Sequence, residues 1–151
     1  MRSIVYLLLL LVVFDALAFD AAASPKPRRK AIRVLRAHVD AVVVALKKKD
    51  IAACQKLFVW SSEMETTLKT ITTNYIDFKA NVTYAKYYGT EGTDAVNMSG
   101  EVTLSRQSAA TKTFEDVNIS VQLIESSESP TGWKIDDYDI SDHSKKICHN
   151  N

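Results

Sequence analysis

The chain has 151 residues, of which 46% are apolar and 25% are charged, and its formal net charge is +1. This composition is typical of a globular protein and excludes disordered, collagenous and low-complexity chains. A charge so close to zero gives no general attraction to nucleic acid, so we expect no nucleic-acid partner.

The amino terminus has the three-part layout of a secretory signal peptide. Arg2 supplies a positive charge, an unbroken apolar run extends from Ile4 to Phe14, and Ala16-Leu17-Ala18 is a small-x-small cleavage site. The run is shorter than the roughly 20 apolar residues that span a bilayer. We therefore predict a signal peptide at residues 1–18, a secreted, extracellular protein, and no stable membrane insertion after cleavage. A leader retained in the membrane is the alternative.

Three Asn-x-Ser/Thr sequons follow the leader, and they begin at Asn81, Asn97 and Asn118. Because only chains that enter the secretory pathway meet the glycosylation machinery, the leader gives these short motifs weight. We predict N-linked glycans at all three asparagines.

Cys54 and Cys148 are the two cysteines of the chain, and both lie beyond the predicted cleavage site. An even number of cysteines in an oxidising compartment favours one disulfide. Such a bridge would close a long loop and stabilise the fold by roughly 4–5 kcal/mol in the chain-entropy model. The alternative is a buried thiol at Cys54 and a free thiol in the tail.

The first half of the mature chain has helical periodicity, with apolar residues at steps of three or four. A first helix is predicted from Lys30, after a short extended linker at residues 19–29. Asp50 is placed to cap a second, short helix. Ser62 and Glu65 have the spacing of a capping box, which predicts a third helix.

After Thr73 the period changes to two, which predicts four strands separated by polar turns. The polar stretch from Ser105 to Lys112 predicts one of these turns, and the break in the apolar phase at Asp136 and Asp137 predicts a β-bulge. Each strand has one apolar and one polar side, as in an antiparallel sheet covered on one face. The three sequon asparagines all fall on the polar side.

Helices followed by strands predict an α+β fold, with the amino-terminal helices packed on the concave face of a curved antiparallel sheet. The predicted domain covers residues 30–142, and residues 143–151 form a carboxyl-terminal tail. At this length one domain is large enough to bury a core.

Two segments resemble the nuclear-transport-factor-2-like superfamily. Residues 44–58, VALKKKDIAACQKLF, are similar to its opening, in which a long helix breaks at an Asp and a short helix ends in Leu-Phe. Residues 132–138, GWKIDDY, are similar to its closing strand. The resemblance implies a cone-shaped domain with a pocket at its open end. It also implies that isomerases, dehydratases, polyketide cyclases and non-catalytic binding modules share the fold, so that function does not follow from it.

Enzymes of this superfamily generally place an Asp or His inside the cone, yet the core-facing strand positions here are apolar except for Tyr84. We interpret His38 as a surface or boundary residue, and Asp136 and Asp137 as parts of a solvated bulge. No histidine is spaced as a metal ligand and no Ser or Cys has an evident base. We therefore predict no catalytic residue, no metal and no cofactor.

Three hypotheses for function remain open. The first is a secreted, non-catalytic binding module whose cone holds a small apolar ligand against Phe78, Tyr84, Met98, Val102 and Trp133. The second is an isomerase, dehydratase or cyclase that uses a carboxylate or His in the pocket. The third is a protein-interaction module, for which glycans on the outer sheet face favour a monomer.

Overall fold

The computed structural model describes residues 25–89 and 96–141. Three helices come first, at Pro25–Lys48 (α1), Ile51–Leu57 (α2) and Ser62–Asn74 (α3). Four strands follow, at Tyr75–Gly89 (β1), Val96–Ser108 (β2), Phe114–Glu125 (β3) and Trp133–Ser141 (β4). The strands form one antiparallel sheet in the order β1-β2-β3-β4, which confirms the predicted α+β fold. The predicted leader, its cleavage site and Cys148 lie outside the described residues.

The first helix begins at Pro25 and so includes part of the predicted linker. Proline is tolerated there because the first N–H groups of a helix have no intrahelical acceptor. At the other end Lys49 has a φ of 56°, and the amides of Lys49 and Asp50 donate to the carbonyls of Leu46 and Ala45. These bonds close the helix with a Schellman motif and turn the chain directly into α2.

Side-chain caps fix the starts of the two shorter helices. Asp50 Oδ1 accepts from the Ala53 amide at 2.9 Å, as predicted. The cap of α3 is Ser61, whose Oγ accepts from the Met64 amide at 3.0 Å, and not the predicted Ser62. Only Ser62 has a Glu three residues later, as the capping box requires, but the backbone of Ser61 is extended and its side chain makes the cap.

A short parallel bridge joins the segment between α2 and α3 to the last strand. Phe58 pairs with Ile135, and the Val59 amide donates to the Ile135 carbonyl at 2.8 Å. The helical layer is therefore tied to β4 by backbone hydrogen bonds as well as by packing.

Two irregularities set which side chains face the concave side of the sheet. In β4, Gln122 pairs with Asp137 and Leu123 with Ile135, so Asp136 is the extra residue of the predicted bulge. In β1 a shift between Val82 and Tyr84 was not predicted. Because it reverses the alternation, Ala85 is buried beyond it, whereas Tyr84 is only half-buried.

The outer face of the sheet carries the sequon asparagines. Asn81 and Asn118 are exposed, and Asn97 is half-buried next to the fully buried Met98. Thr103 pairs with Asn81 on one side and with Asn118 on the other, so these two asparagines lie in one row across three strands. With neighbouring strands about 4.8 Å apart, the two are separated by roughly 10 Å.

Gly100 lies in close contact with Leu35 of α1. A Cβ atom at this position would lie 2.2 Å from Leu35 Cδ2 and 2.8 Å from the Tyr84 carbonyl oxygen. The second contact is to backbone, which cannot move aside as a side chain can. Glycine is required here because the helix and the strand occupy the space that any side chain would need.

We therefore expect Gly100→Ala to lower the free energy of unfolding by roughly 1–3 kcal/mol through overpacking. Urea unfolding followed by circular dichroism measures the change. Gly89→Ala in β1 is the matched control, since no described atom lies within 4 Å of the place that its new methyl group would occupy, and it is expected to change the free energy by less than about 0.5 kcal/mol. Equal stability of the Gly100→Ala variant and the parent would contradict the close approach.

Candidate functional site

An apolar cavity of about 110 Å³ lies between the helices and the concave side of the sheet. Its lining residues are Val39, Val42, Val43, Leu46, Phe58, Met64, Thr67, Leu68, Ile71, Val102, Leu104, Arg106, Val117, Ile119, Val121, Ile135, Tyr138 and Ile140. Three of these side chains carry polar groups, namely Thr67, Arg106 and Tyr138. The volume is of the same order as the roughly 150 Å³ of an engineered apolar cavity that binds benzene.

The cavity runs from a buried floor to a rim that solvent reaches. Val102, Val121 and Ile135 are buried at the floor. The lining residues nearer the end of the sheet are more open: Val117 is half-buried and Ile140 is 44% exposed. A molecule entering from this end would meet an apolar wall on the helices and on three strands.

The carboxyl half of α1 and the apolar stripe of α3 supply the helical wall. Val39, Val42 and Leu46 recur at steps of three and four and so share one face of α1. Met64, Leu68 and Ile71 do the same on α3. The spacing of three and four predicted that these side chains face the interior, and they also enclose the cavity.

The bulge in β4 decides which residues of that strand enter the cavity. Because Asp136 is the extra residue, Ile135 and Tyr138 both face inward, and both line the cavity. Asp136 and Asp137 are exposed, and the Asp137 carboxylate accepts from the Tyr138 amide at 2.9 Å. The bulge therefore keeps both carboxylates out of the cavity.

Arg106 is the one charged residue among the described lining side chains, and neighbours on two strands hold it in place. Its Nε donates to Glu115 Oε1 at 2.6 Å, and its guanidinium carbon lies 4.3 Å from the centre of the Tyr75 ring. The Tyr75 hydroxyl donates to the same Glu115 oxygen at 2.6 Å, and this hydrogen bond raises the pKa of Tyr75. The Arg106 side chain is 20% exposed, so its cation is positioned and partly desolvated at the rim.

Of the five predicted ligand residues, one lines the cavity and four do not. Val102 lines the cavity, whereas Phe78, Met98 and Trp133 are buried elsewhere in the core. Tyr84 is half-buried beyond the β1 bulge, with the Arg28 guanidinium 5.1 Å from the centre of its ring. The structure brings none of these four side chains to the cavity.

Sequence reasoning missed Arg106 because the polar stretch from Ser105 was interpreted as a loop. The strand in fact continues to Ser108. The signal was present in the period of two, since Val102 and Leu104 lead to Arg106 on the same side of the strand. A charged residue in an inward position of a strand is the feature of the sequence that indicates this site.

His38 is fully buried, which corrects its interpretation as a surface or boundary residue. Its Nδ1 is 2.6 Å from Thr131 Oγ1, and Thr131 Oγ1 is 3.0 Å from the hydroxyl of the buried Ser129. These groups lie in the turn between β3 and β4 and replace water on one side of the ring. Nε2 has no partner of good hydrogen-bond geometry among the described residues.

Burial sets the charge state of His38. Desolvation lowers its pKa from 6.5 to about 4, and an interaction with the Leu57 backbone opposes this only in part. The imidazole is therefore neutral at pH 7. His38 is not among the cavity-lining residues, so it acts as a structural polar group in the core.

Cys54 is buried in the core, and burial, with a smaller effect of the Asp50 charge, raises the pKa of its thiol to about 11. A thiol with such a pKa is a poor nucleophile at neutral pH. Cys148 lies outside the described residues, so the disulfide between these two cysteines stays a prediction.

Within residues 25–89 and 96–141, no three His, Cys, Asp or Glu side chains are grouped closely enough to hold a metal ion. No helix in the same part of the chain is long and apolar enough to cross a membrane.

No protein-family model and no curated protein matches the chain. Four chains of known structure do match. One is a nuclear-transport-factor-2-like superfamily protein from Salmonella enterica subsp. enterica serovar Typhimurium str. LT2, with a TM-score of 0.51 and 11% sequence identity. The match covers 72% of this chain and 88% of the Salmonella chain. At this identity the likeness shows the fold, and it confirms the predicted cone.

The buried neutral histidine predicts a pH dependence of stability. Because the pKa is lower in the folded than in the unfolded state, the contribution of His38 is full above pH 6.5 and is lost as the pH falls towards about 4. At about 1.4 kcal/mol per pKa unit, the loss is at most about 3 kcal/mol.

His38→Gln keeps an amide that can bond Thr131 but cannot titrate, so we expect its stability to fall less than that of the parent between pH 7 and pH 4.5. Urea unfolding at a series of pH values measures both curves. Carboxylates affect the two proteins equally and cancel in the difference. Parallel curves would show that His38 does not titrate on unfolding.

Proposed function

We propose that this chain, whose fold is nuclear-transport-factor-2-like, is a secreted, glycosylated and non-catalytic binding module that holds a small apolar ligand in the cavity between its helices and its sheet. The single observation that carries the binding role is the cavity itself, which has an almost wholly apolar wall and an end open to solvent. Apolar concave sites with a few placed polar groups are the usual form of small-ligand sites.

The chemistry of the lining supports binding over acid–base catalysis. An isomerase or dehydratase needs a group that takes a proton near neutral pH and lies within hydrogen-bond reach of the substrate. The described lining residues include no carboxylate and no histidine. His38, Asp136 and Asp137, the candidates from the sequence, lie outside the lining, so the described lining residues offer the phenol of Tyr138 no such base.

The outer face of the sheet supports glycosylation and a monomer. Asn81 and Asn118 are exposed in one cross-strand row, on either side of Thr103, so glycans on both would project from the same part of the outer face. Two bulky, hydrated groups roughly 10 Å apart would prevent another sheet from packing on this face. Secretion, for which the leader is the evidence, is the condition for these modifications.

Filling the cavity should abolish binding without a change in the outer surface. Val43 lines the cavity from α1, and its neighbour Val44 is 49% exposed on the same helix. We expect the parent to bind benzene in a saturable way and Val43→Phe to weaken binding at least tenfold, because the new ring occupies the space. A titration followed by ¹H–¹⁵N NMR shifts measures both.

Val44→Phe is the matched control, since it adds the same ring outside the cavity and should bind benzene as the parent does. Absence of saturable shifts at the lining residues of the parent would refute the proposed binding role. Unchanged binding by Val43→Phe would place the site elsewhere.

Expression in a mammalian secretory host tests the compartment. We expect the protein in the medium, and we expect treatment with a peptide N-glycosidase to lower its apparent mass. Asn81→Gln, Asn97→Gln and Asn118→Gln should each remove one glycan, measured by mass spectrometry. Asn74→Gln, at an exposed asparagine outside any sequon, should leave the mass distribution unchanged apart from the substitution. Retention inside the cell without glycans would overturn the secreted assignment.

A further inference from the structure

We infer that the ligand of the cavity is a short amphipathic anion, with an apolar body between the helices and the sheet and a carboxylate-like head bound by Arg106 at the rim. This inference rests on the proposed binding role and adds the chemical class of the ligand. Its starting point is a charged residue in an inward strand position, where a partly desolvated cation needs acceptors for its N–H groups.

The position of Arg106 places a cation at the boundary between apolar wall and solvent. Its β2 neighbours on the same side, Val102 and Leu104, also line the cavity. Arginine covers apolar surface with its methylene groups and keeps its charged end towards water. The guanidinium of Arg106, with the side chain 20% exposed, therefore marks the point at which a bound molecule passes from the apolar wall to water.

The contacts of Arg106 leave part of its hydrogen-bonding capacity for a ligand. Within the described chain its hydrogen bonds run through Nε, which donates to Glu115. A guanidinium has five N–H donors, so the N–H groups on both Nη atoms have no protein acceptor there. Two such N–H groups match the two oxygens of a carboxylate, and bidentate pairs of this kind are stronger than neutral hydrogen bonds.

The surroundings hold the guanidinium in one orientation before any ligand binds. Tyr75 lies under the guanidinium, and its hydroxyl bonds the same Glu115 oxygen that accepts from Nε. A cation held by a ring and a carboxylate loses little side-chain entropy when it meets a ligand, which favours affinity. Glu115 is 49% exposed at its side chain, so solvent screens its charge more than that of the partly buried Arg106.

The charge that faces the cavity favours an anion over a cation or a neutral molecule, because Arg106 lines the cavity and its partner Glu115 is not among the lining residues. Arg106 is the only charged side chain among the described lining residues. A ligand with a positive head would meet this cation in a partly desolvated place, where repulsion is stronger than in water. A neutral head would leave the Nη donors without a charged acceptor.

Three molecules with the same eight-carbon tail test the inference: octanoate, octan-1-ol and octylammonium at pH 7. We expect the parent to bind octanoate roughly tenfold or more tightly than octan-1-ol, and octylammonium most weakly, since a hydrogen bond to a charged group contributes more than a neutral one. NMR titration gives the three dissociation constants and shows which residues respond.

Arg106→Gln should abolish the preference for octanoate while octan-1-ol still binds, which also shows that the cavity has folded. Lys69→Gln is the control, because it removes a cation of α3 whose exposed side chain pairs with Glu65 away from the lining residues. It should keep the preference of the parent. Glu115→Gln should increase the preference for octanoate, since it removes the competing negative charge and keeps an acceptor for Nε.

The outcomes separate this inference from the function on which it rests. Equal binding of octanoate and octan-1-ol by the parent would overturn the anion site and leave the apolar binding role intact. Failure of all three molecules to bind would overturn both. If Arg106→Gln does not fold, Glu115→Gln decides, because an unchanged or smaller preference in that variant would refute a role for the Arg106 charge.

Discussion

The contact between Leu35 and Gly100 is the tightest constraint that the described glycines reveal, and it fixes the amino half of α1 against the sheet. The absence of a side chain at Gly100 lets the amino half of α1 lie directly on β2, at a distance that a methyl group would prevent. The carboxyl half of the same helix carries Val39, Val42 and Leu46 along the cavity. The cavity therefore lies along the half of α1 that extends beyond the Gly100 contact.

Two bulges determine which side chains face the concave side of the sheet, and the one in β4 adjoins the cavity. The extra residue Asp136 keeps Ile135 and Tyr138 on the inward side and leaves the carboxylate of Asp137 in water. The irregularity before Tyr84 moves a phenol away from the concave side and places Ala85 there. The same strands without these bulges would bring an acid and a phenol towards the core. The apolar character of the cavity is thus a property of strand register as much as of composition.

Local patterns in the sequence determined much of the fold. The element order, the cap at Asp50 and the bulge at Asp136 depend on neighbouring residues, and all three were predicted. The burial of His38 was not, because its partner Thr131 lies far along the chain and becomes a neighbour only when the turn between β3 and β4 reaches α1. The site was harder for the same reason. Its ligand residues were sought on strands alone, whereas α1 and α3 form much of the wall and Arg106 lay in a stretch that resembled a loop.

The existence of the cavity favours a binding function, because empty apolar space lowers the stability of a fold. At about 24 cal/mol per Å³, a void of about 110 Å³ costs on the order of 2–3 kcal/mol relative to a filled core. One larger side chain at a lining position such as Val43 would recover part of that energy, so the void is not forced on the sequence by the fold. A ligand that binds only the folded state would offset the same cost by mass action. A binding site requires such a loss of stability, because space for a ligand must be left unfilled by side chains. An arginine held at the open end of the cavity would orient the bound molecule as well as bind it.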